Sequence, residues 1–337
     1  MSGVQFGMFD QLEHPGGAVP LHQLYKDRLR LVERAEQAGF WGYHKSEHHM
    51  IPLDAAPSIN LFLAAAAQRT STIRLCSLVH LLPFYHPLRL AEEICMLDHL
   101  SEGRFEFGFG RGISAPEHRL WRLDDAEGEA RTDEALELVL AALQTESSFS
   151  FEGRFWRFED VPIEVHPHQS PYPPLWRPGT LATAARLGVS TIAAGPTAMV
   201  AKAVRRYGEL RQEGLSAGRE PRIGALRKYY VAATDREAAA RARAAWAAYT
   251  EHLSRLFRRF GLVPPNDPTF GGDFDTAASF QAIVAGSPAK VRDSVEELAA
   301  NGGAGYLVGQ FAFGDLTIEE VSRSFDRFVE AAVPVRA

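Results

Sequence analysis

Short apolar runs alternate with longer amphipathic stretches along almost the whole chain, and this alternation constrains the fold more than any other feature. VQFGMF (Val4–Phe9), FWGYH (Phe40–His44), IRLCSLVHLL (Ile73–Leu82) and GRFEFGFGRG (Gly103–Gly112) read as strands. The third is too long and apolar for anything but a buried strand. LW (Leu175–Trp176), STIAAG (Ser190–Gly195), IGALRKYYVAAT (Ile223–Thr234) and GYLVGQF (Gly305–Phe311) supply later strands. Helices are expected over Leu21–Ala38, stopped by Gly39, then Ile59–Arg69, Pro87–Leu100 and Glu127–Gln144. Further helices fall at Thr180–Leu187, Thr197–Gln212, Asp235–Arg258, Pro288–Ala300 and Ile318–Ala332. Strand–helix units repeated in this way call for a mostly parallel sheet with helical crossovers. About eight units can be counted, which favours an α/β fold of the closed (β/α)8 TIM-barrel type over an open doubly wound sheet.

Such a barrel takes roughly 250 residues, so a chain of 337 has room for insertions. Two stand out. Ser147–Ile163 (SSFSFEGRFWRFEDVPI) alternates around a Glu-Gly turn and reads as a β-hairpin. Phe260–Gly286 is rich in Pro and Gly with scattered aromatics, which suits a lid-like loop over a mouth. With no internal repeat and no low-complexity tail, residues 1–337 read as a single domain.

Composition removes several function classes. The formal net charge is −6 and basic and acidic residues are mixed, with no Lys/Arg block to mark a nucleic-acid partner. No segment approaches the roughly 20 apolar residues needed to span a bilayer. The first apolar run is short and lacks a basic flank, so a secretory leader is not expected. Cys76 and Cys95 both lie in apolar surroundings, which fits a reducing cytoplasm and no disulfide.

In a barrel of this kind the active site is built at the carboxyl ends of the strands. Three loops rich in His, Arg and Gly fall there: KSEHHMIP (Lys45–Pro52), HLLPFYHP (His80–Pro87) and GFGRG (Gly108–Gly112). Glu47-His48-His49 has three readings. Adjacent histidines on one loop make a poor metal site, and no metal is expected. A Glu–His pair can simply fix a loop. A histidine oriented by a carboxylate can also serve as acid, base or anion stabiliser, and this reading is favoured. His166 and His168 read as loop residues, Trp121 suits either the mouth or the core, and the Arg-rich stretch Arg241–Arg259 reads as a solvated helix face.

Three segments, SEHHMIP, HLLPFYHPLRLAEEICMLDHLSEGRFEFGFGRG and SPAKVRDSVEELAANGGAGYLVGQFAFG, together resemble the luciferase-like flavin-dependent monooxygenases, the family of the bacterial luciferase subunits. The resemblance runs from Val4 to near the C-terminus. It implies a (β/α)8 barrel that holds reduced FMN, supplied by a separate flavin reductase, at the strand carboxyl ends. His48 takes the place of the catalytic histidine near the flavin, with Glu47 as its catalytic neighbour. His49, His80 and Phe311 are assigned to the substrate pocket. A non-proline cis peptide is expected at Leu78–Val79, where it buttresses the flavin ring. Arg111 falls where the family has an arginine close to the cofactor phosphate, and Gly110 replaces the reactive cysteine that luciferase carries there. A second phosphate contact is expected from the turn after Trp176. There Gly179 and Thr180 would donate hydrogen bonds, and Arg177 would replace with charge the donors of a Gly/Ser-rich turn.

The reaction so implied uses reduced FMN and O2 to form a 4a-hydroperoxyflavin, which oxygenates a hydrophobic organic substrate by hydroxylation, Baeyer–Villiger insertion or aldehyde oxidation. His48 would assist proton transfer or stabilise the peroxide, and the Phe-rich segment Phe260–Ala285 would close the cavity. Two rivals stand beside it: a deazaflavin-dependent hydride-transfer oxidoreductase, and a flavin-binding protein with little catalysis. Relatives are usually dimers, and the Ala-rich helix INLFLAAAAQR offers a small-residue face for a homodimer.

Overall fold

A computed structural model describes residues 4–14 and 19–334. Twelve strands are described: β1 (Gln5–Asp10), β2 (Gly42–Lys45), β3 (Arg74–Ser77), β4 (His80–Leu81), β5 (Phe105–Gly110), β6 (Ser148–Glu152), β7 (Arg157–Pro162), β8 (Leu175–Trp176), β9 (Thr191–Ala194), β10 (Ile223–Val231), β11 (Ile283–Gly286) and β12 (Tyr306–Gln310). All pairings are parallel except that of β6 with β7. β12, β1, β2, β3, β5 and β8 follow one another in the sheet, while β9, β11 and β12 all pair with β10. An isolated parallel bridge joins Trp176 to Ser190, just ahead of β9. The sheet is therefore curled, with the carboxyl ends of its strands on one side.

The helices are α1 (Leu21–Gln37), α2 (Ile59–Ala67), α3 (Pro87–Leu100), α4 (Ala115–Leu120), α5 (Gly128–Gln144), α6 (Leu181–Leu187), α7 (Thr197–Leu210), α8 (Asp235–Arg259), α9 (Phe274–Ser279), α10 (Pro288–Asn301) and α11 (Ile318–Ala332). Several begin where local chemistry supplies a partner for the free N–H groups of the first turn. Ser58, Thr234 and Ser287 accept at the starts of α2, α8 and α10, and Thr317 with Glu320 forms a full capping box on α11. None of the described helices is long and apolar enough to cross a membrane.

Strand alternation sorts side chains between two environments. On β1, Phe6 and Met8 join the large core under the helices, while Phe9 points to the inside of the sheet. On β12, Leu307 and Phe311 join that outer core, and Tyr306 and Val308 face inward. Toward the amino ends of the strands the inside is filled by rings. Trp41 meets Tyr306 edge-on at 5.2 Å, and His44 lies 5.1 Å from Trp176. The polar tips of these rings are engaged: His44 Nε2 pairs with the Tyr306 hydroxyl at 2.7 Å, and Trp176 Nε1 donates to Glu106. Gly7 is required here, because a Cβ at this position would overlap the Tyr306 hydroxyl.

The structure departs from the sequence reading in three places. Ile73–Leu82 is not one strand: β3 ends at Ser77, the Leu78–Val79 peptide is cis as the resemblance implied, and β4 resumes at His80. Phe260–Gly286 is not irregular throughout, because it contains α9 and β11. β11 pairs with Lys228–Val231, the part of the long strand β10 that lies beyond its pairing with β9. The short helix α4 was not read from the sequence at all, although Ser114-Ala-Pro-Glu117 has the spacing of an N-terminal cap, and Ser114 does accept from the Glu117 N–H.

Candidate active site

A cavity of about 660 Å³ opens at the carboxyl ends of the strands, within the usual size range of ligand pockets. Phe9, Leu78, Val79, Ile192 and Leu226 give it apolar walls. Its polar lining includes His48 after β2, Arg111 after β5, Arg177 after β8, Lys228 on β10 and Gln310 on β12. Phe270, from the segment after α8, also reaches it.

His48 follows directly from the turn out of β2, and its nearest carboxylate is that of Glu117 on α4. Nδ1 of His48 lies 3.5 Å from Glu117 Oε1 without forming a hydrogen bond, and Glu117 Oε1 accepts instead from the His49 backbone N–H at 2.7 Å. Burial pulls the His48 pKa down, but the nearby Glu117 carboxylate and the charge of Asp54 together outweigh it, and the net shift is upward. The imidazole is thus held where it carries a proton more readily than a free histidine does.

Glu47 lines the cavity but orients a different histidine from the one expected. Its carboxylate pairs with His49 Nε2 at 2.7 Å and accepts from the Leu81 N–H at 3.2 Å and the Tyr85 hydroxyl at 2.9 Å. Burial raises its pKa against the pull of His49. Glu47 therefore ties the loop after β2 to β4, and Glu117 stands beside His48 in the role the sequence reading gave to Glu47.

The three residues assigned to a substrate pocket lie elsewhere. His49 packs its ring on Trp121 at 4.5 Å and near Phe84, outside the cavity lining. His80 is fully buried, pairs with Asn60 Oδ1 at 2.6 Å, and burial drops its pKa to about 3. Phe311 sits in the outer core between Tyr229, Phe325 and Phe328. The cause in the last case is strand alternation: Gln310 faces inward, so the next residue faces the helices.

The basic residues do converge. Arg111 is a third exposed and pairs with Asp125 at 3.1 Å, while Arg177 is nearly buried and pairs with Glu129 at 2.7 Å. Both carboxylate partners are about half exposed. Between them Gly110 runs against Val79, where a Cβ would come within 2.8 Å of the Val79 side chain. Gly179 has φ +99° and open space on its Cβ side, and Thr180 stands at the start of α6 with its hydroxyl unused for capping. Leu78, Val79, Gly110, Arg111, Arg177, Gly179 and Thr180 all line the one cavity. Sequence reasoning missed Glu117, Lys228 and Gln310. Gln310 and Lys228 had a usable signal, since each breaks the apolar inward-facing positions of its strand.

Comparison with known proteins assigns the chain a family and a fold. The luciferase-like monooxygenase family model matches residues 4–305. An uncharacterised protein, y4wF of Sinorhizobium fredii, is 37% identical over 326 residues, 94% of this chain and 93% of its own. The crystal structure of monooxygenase RslO1 from Streptomyces bottropensis superposes with a TM-score of 0.82 at 28% identity, covering 99% of this chain and 100% of that one. The oxygenating constituent of 3,6-diketocamphane monooxygenase from Pseudomonas putida, a type II Baeyer–Villiger enzyme in complex with FMN, gives 0.78 at 20% identity over 99% of each chain. The coenzyme F420 dependent tetrahydromethanopterin reductase of Methanopyrus kandleri shares the fold at 0.68 and 18% identity, again over 99% of each.

Proposed function

Because the chain belongs to the luciferase-like monooxygenase family, we propose that it is an FMN-dependent monooxygenase that oxygenates a hydrophobic organic substrate inside this cavity. The observation that carries the reading is the meeting of two guanidinium groups, a raised-pKa histidine and apolar walls around one space at the strand carboxyl ends. The residues fit a flavin. Arg111 and Arg177 are paired only with half-exposed carboxylates, so a phosphate can take those positions with bidentate, charge-assisted bonds. At Gly179 the exposed backbone faces open space, where a side chain would stand in the way of the phosphate. Leu78 and Val79 contribute to the apolar wall available to the ring system.

A reduced flavin held there would supply the two electrons needed to split O2 between the substrate and water. The chain's own contribution is positional and electrostatic. The apolar walls keep water from the reacting atoms. His48, whose pKa lies above that of a free imidazole with Glu117 and Asp54 nearby, is placed to hold a proton and pass it to a reacting oxygen. Phe270 and its segment cover the mouth. We read the curled sheet as the (β/α)8 barrel of the family, with the Trp176–Ser190 bridge as its closing contact. We also assign a separate reductase as the source of reduced FMN. A homodimer through α2 completes the assignment, in keeping with the outward exposure of Leu61 on that helix.

The test is anaerobic titration with reduced FMN, followed by rapid mixing with oxygenated buffer while the flavin spectrum is recorded. A monooxygenase binds reduced FMN and reoxidises it in more than one step, more slowly than free FMN reoxidises. The shared fold of the F420-dependent reductase gives the alternative arm. Binding of the deazaflavin but not of FMN, with no reaction with O2, replaces the monooxygenase by a hydride-transfer enzyme.

A further inference from the structure

Lys228 stands in the cavity wall without a carboxylate partner. It lies toward the end of β10 and is 5% exposed, in register with Gln310 of β12, so the two side chains leave the sheet side by side on its inner face. Among the described residues its ammonium forms no ion pair and no hydrogen bond; it lies 4.2 Å from the ring centre of Tyr249 and 5.3 Å from that of Trp246. Glu13 acts on it only at longer range, and that carboxylate is taken by His252 Nδ1 at 2.7 Å. Leu226, Leu253 and Phe280 line the same cavity, as does Asp267, whose carboxylate accepts from Thr269 and forms no ion pair with Lys228.

Burying an unpaired ammonium costs more than contact with aromatic faces returns. Burial accordingly pushes the Lys228 pKa down to about 8, with Glu13 opposing, which leaves the group mostly protonated at neutral pH. A lysine with a purely structural role would have a carboxylate or carbonyl against it, as Lys45 has with Asp54 at 2.5 Å. Two further polar groups beside Lys228 are also without partners among the described residues. Gln310 Oε1 accepts from nothing, although its amide nitrogen donates to Gln11, and the Tyr249 hydroxyl makes no hydrogen bond. A buried donor and a buried acceptor left open on one wall of a ligand cavity await complementary atoms from the ligand.

We propose that Lys228 anchors an ionised oxygen of the substrate, so that the enzyme acts on apolar molecules bearing an oxyanion and not on neutral hydrocarbons or simple aldehydes. Gln310 Oε1 takes a donor hydrogen on the same molecule. The oxyanion is a carboxylate or a phenolate or enolate, since each offers a delocalised negative oxygen for a charge-assisted bond. This deepens the monooxygenase reading and rests on the cavity being the place where substrate is held.

The test uses the full chain with and without FMN and two probes. The first is 4-nitrophenol, which ionises near neutral pH and changes absorbance when it does. The second is decanoate, displaced against decanol. With the wild-type chain, bound 4-nitrophenol shows more phenolate than the free compound at the same pH, or decanoate binds more tightly than decanol. Lys228→Met weakens the anionic probe by about ten- to a hundredfold and abolishes the spectral shift, while Lys228→Arg keeps both. A response confined to 4-nitrophenol assigns a phenolate or enolate, and one confined to decanoate assigns a carboxylate. Equal binding of charged and neutral probes overturns the inference. So does a Lys228→Arg chain that folds but behaves as Lys228→Met does. Loss of reduced-FMN binding in Lys228→Met with the probes unaffected also overturns it and hands the lysine to the cofactor. If the wild-type chain takes no FMN but discriminates the probes, the flavin reading fails while the anion site stands.

Discussion

The two ends of the same strands follow opposite rules. Toward the amino ends, the inward column of β12 begins with Tyr306, whose hydroxyl pairs with His44 and whose ring packs against Trp41. Four residues on, the same column ends in Gln310, with a carbonyl oxygen that nothing among the described residues satisfies. β10 repeats the contrast, from Gly224 pressed against Ile192 and Tyr306 to Lys228, which among the described residues has no carboxylate in contact. At the first end, the rings pack on one another, and the Tyr306 hydroxyl, His44 Nε2 and Trp176 Nε1 find partners within the chain. At the second, charge and hydrogen-bonding capacity are left for something else. The comparison teaches that the fold's stability and its chemistry are written on the same strands but on different residues.

Substitutions at the open end should alter function and leave folding alone. The largest effect is expected from His48→Ala: product formation falls by about 10²- to 10⁴-fold, while the thermal midpoint stays within a few degrees. Oxygen uptake diverted to hydrogen peroxide is the readout, and unchanged coupling removes His48 from the chemistry. Next is Arg177→Ala, which weakens reduced-FMN binding by about ten- to a hundredfold, measured by anaerobic fluorescence titration. The sealed end should do the reverse. Gly7→Ala forces a methyl into the Tyr306 hydroxyl and destabilises the chain by about 1–3 kcal/mol, seen in urea unfolding, with FMN affinity per folded molecule unchanged.

Two subtler effects sharpen the contrast. Glu117→Gln removes the charge that raises His48 while burial still pulls the pKa down. The limb of the pH–rate profile that belongs to His48 therefore moves to lower pH, and an unmoved limb separates the pair. At the sealed end, burial holds His44 neutral, with its pKa lowered to about 3. A base with a depressed folded pKa contributes stability that is present above its unfolded value near 6.5 and lost as pH falls toward 3. His80 adds the same trend. Each lowers stability by about 1.4 kcal/mol per pH unit over that window, and His44→Gln should flatten the slope of unfolding free energy between pH 6.5 and 5.

Much of this division was legible in the sequence. Apolar runs located every strand of the parallel sheet except β4 and β11, because a strand buried on both faces reads as a continuous hydrophobic stretch. β4 was merged into the run that holds the cis peptide, and β11 was hidden behind a stretch dense in Pro and Gly. His48 falls at the rim by its place after a strand, and Arg111 and Arg177 were expected from the family resemblance; all three line the cavity. What failed was partner choice. Glu47 precedes His48 in sequence, but successive residues project in different directions, so its carboxylate reaches His49, and the partner of His48 arrives from α4, 69 residues along. His80 and Phe311 were misplaced for the same reason: rim position does not say which way a side chain points.

The placement of Gln310 and Lys228 at strand tips has an evolutionary consequence. Their exchange leaves every backbone hydrogen bond of the ladder and the whole ring-filled end untouched. Variation there explores new substrates at little risk to folding, whereas variation at Gly7 yields mainly losses. A lineage carrying this scaffold can thus diversify what it oxidises faster than it drifts in shape, one strand tip at a time.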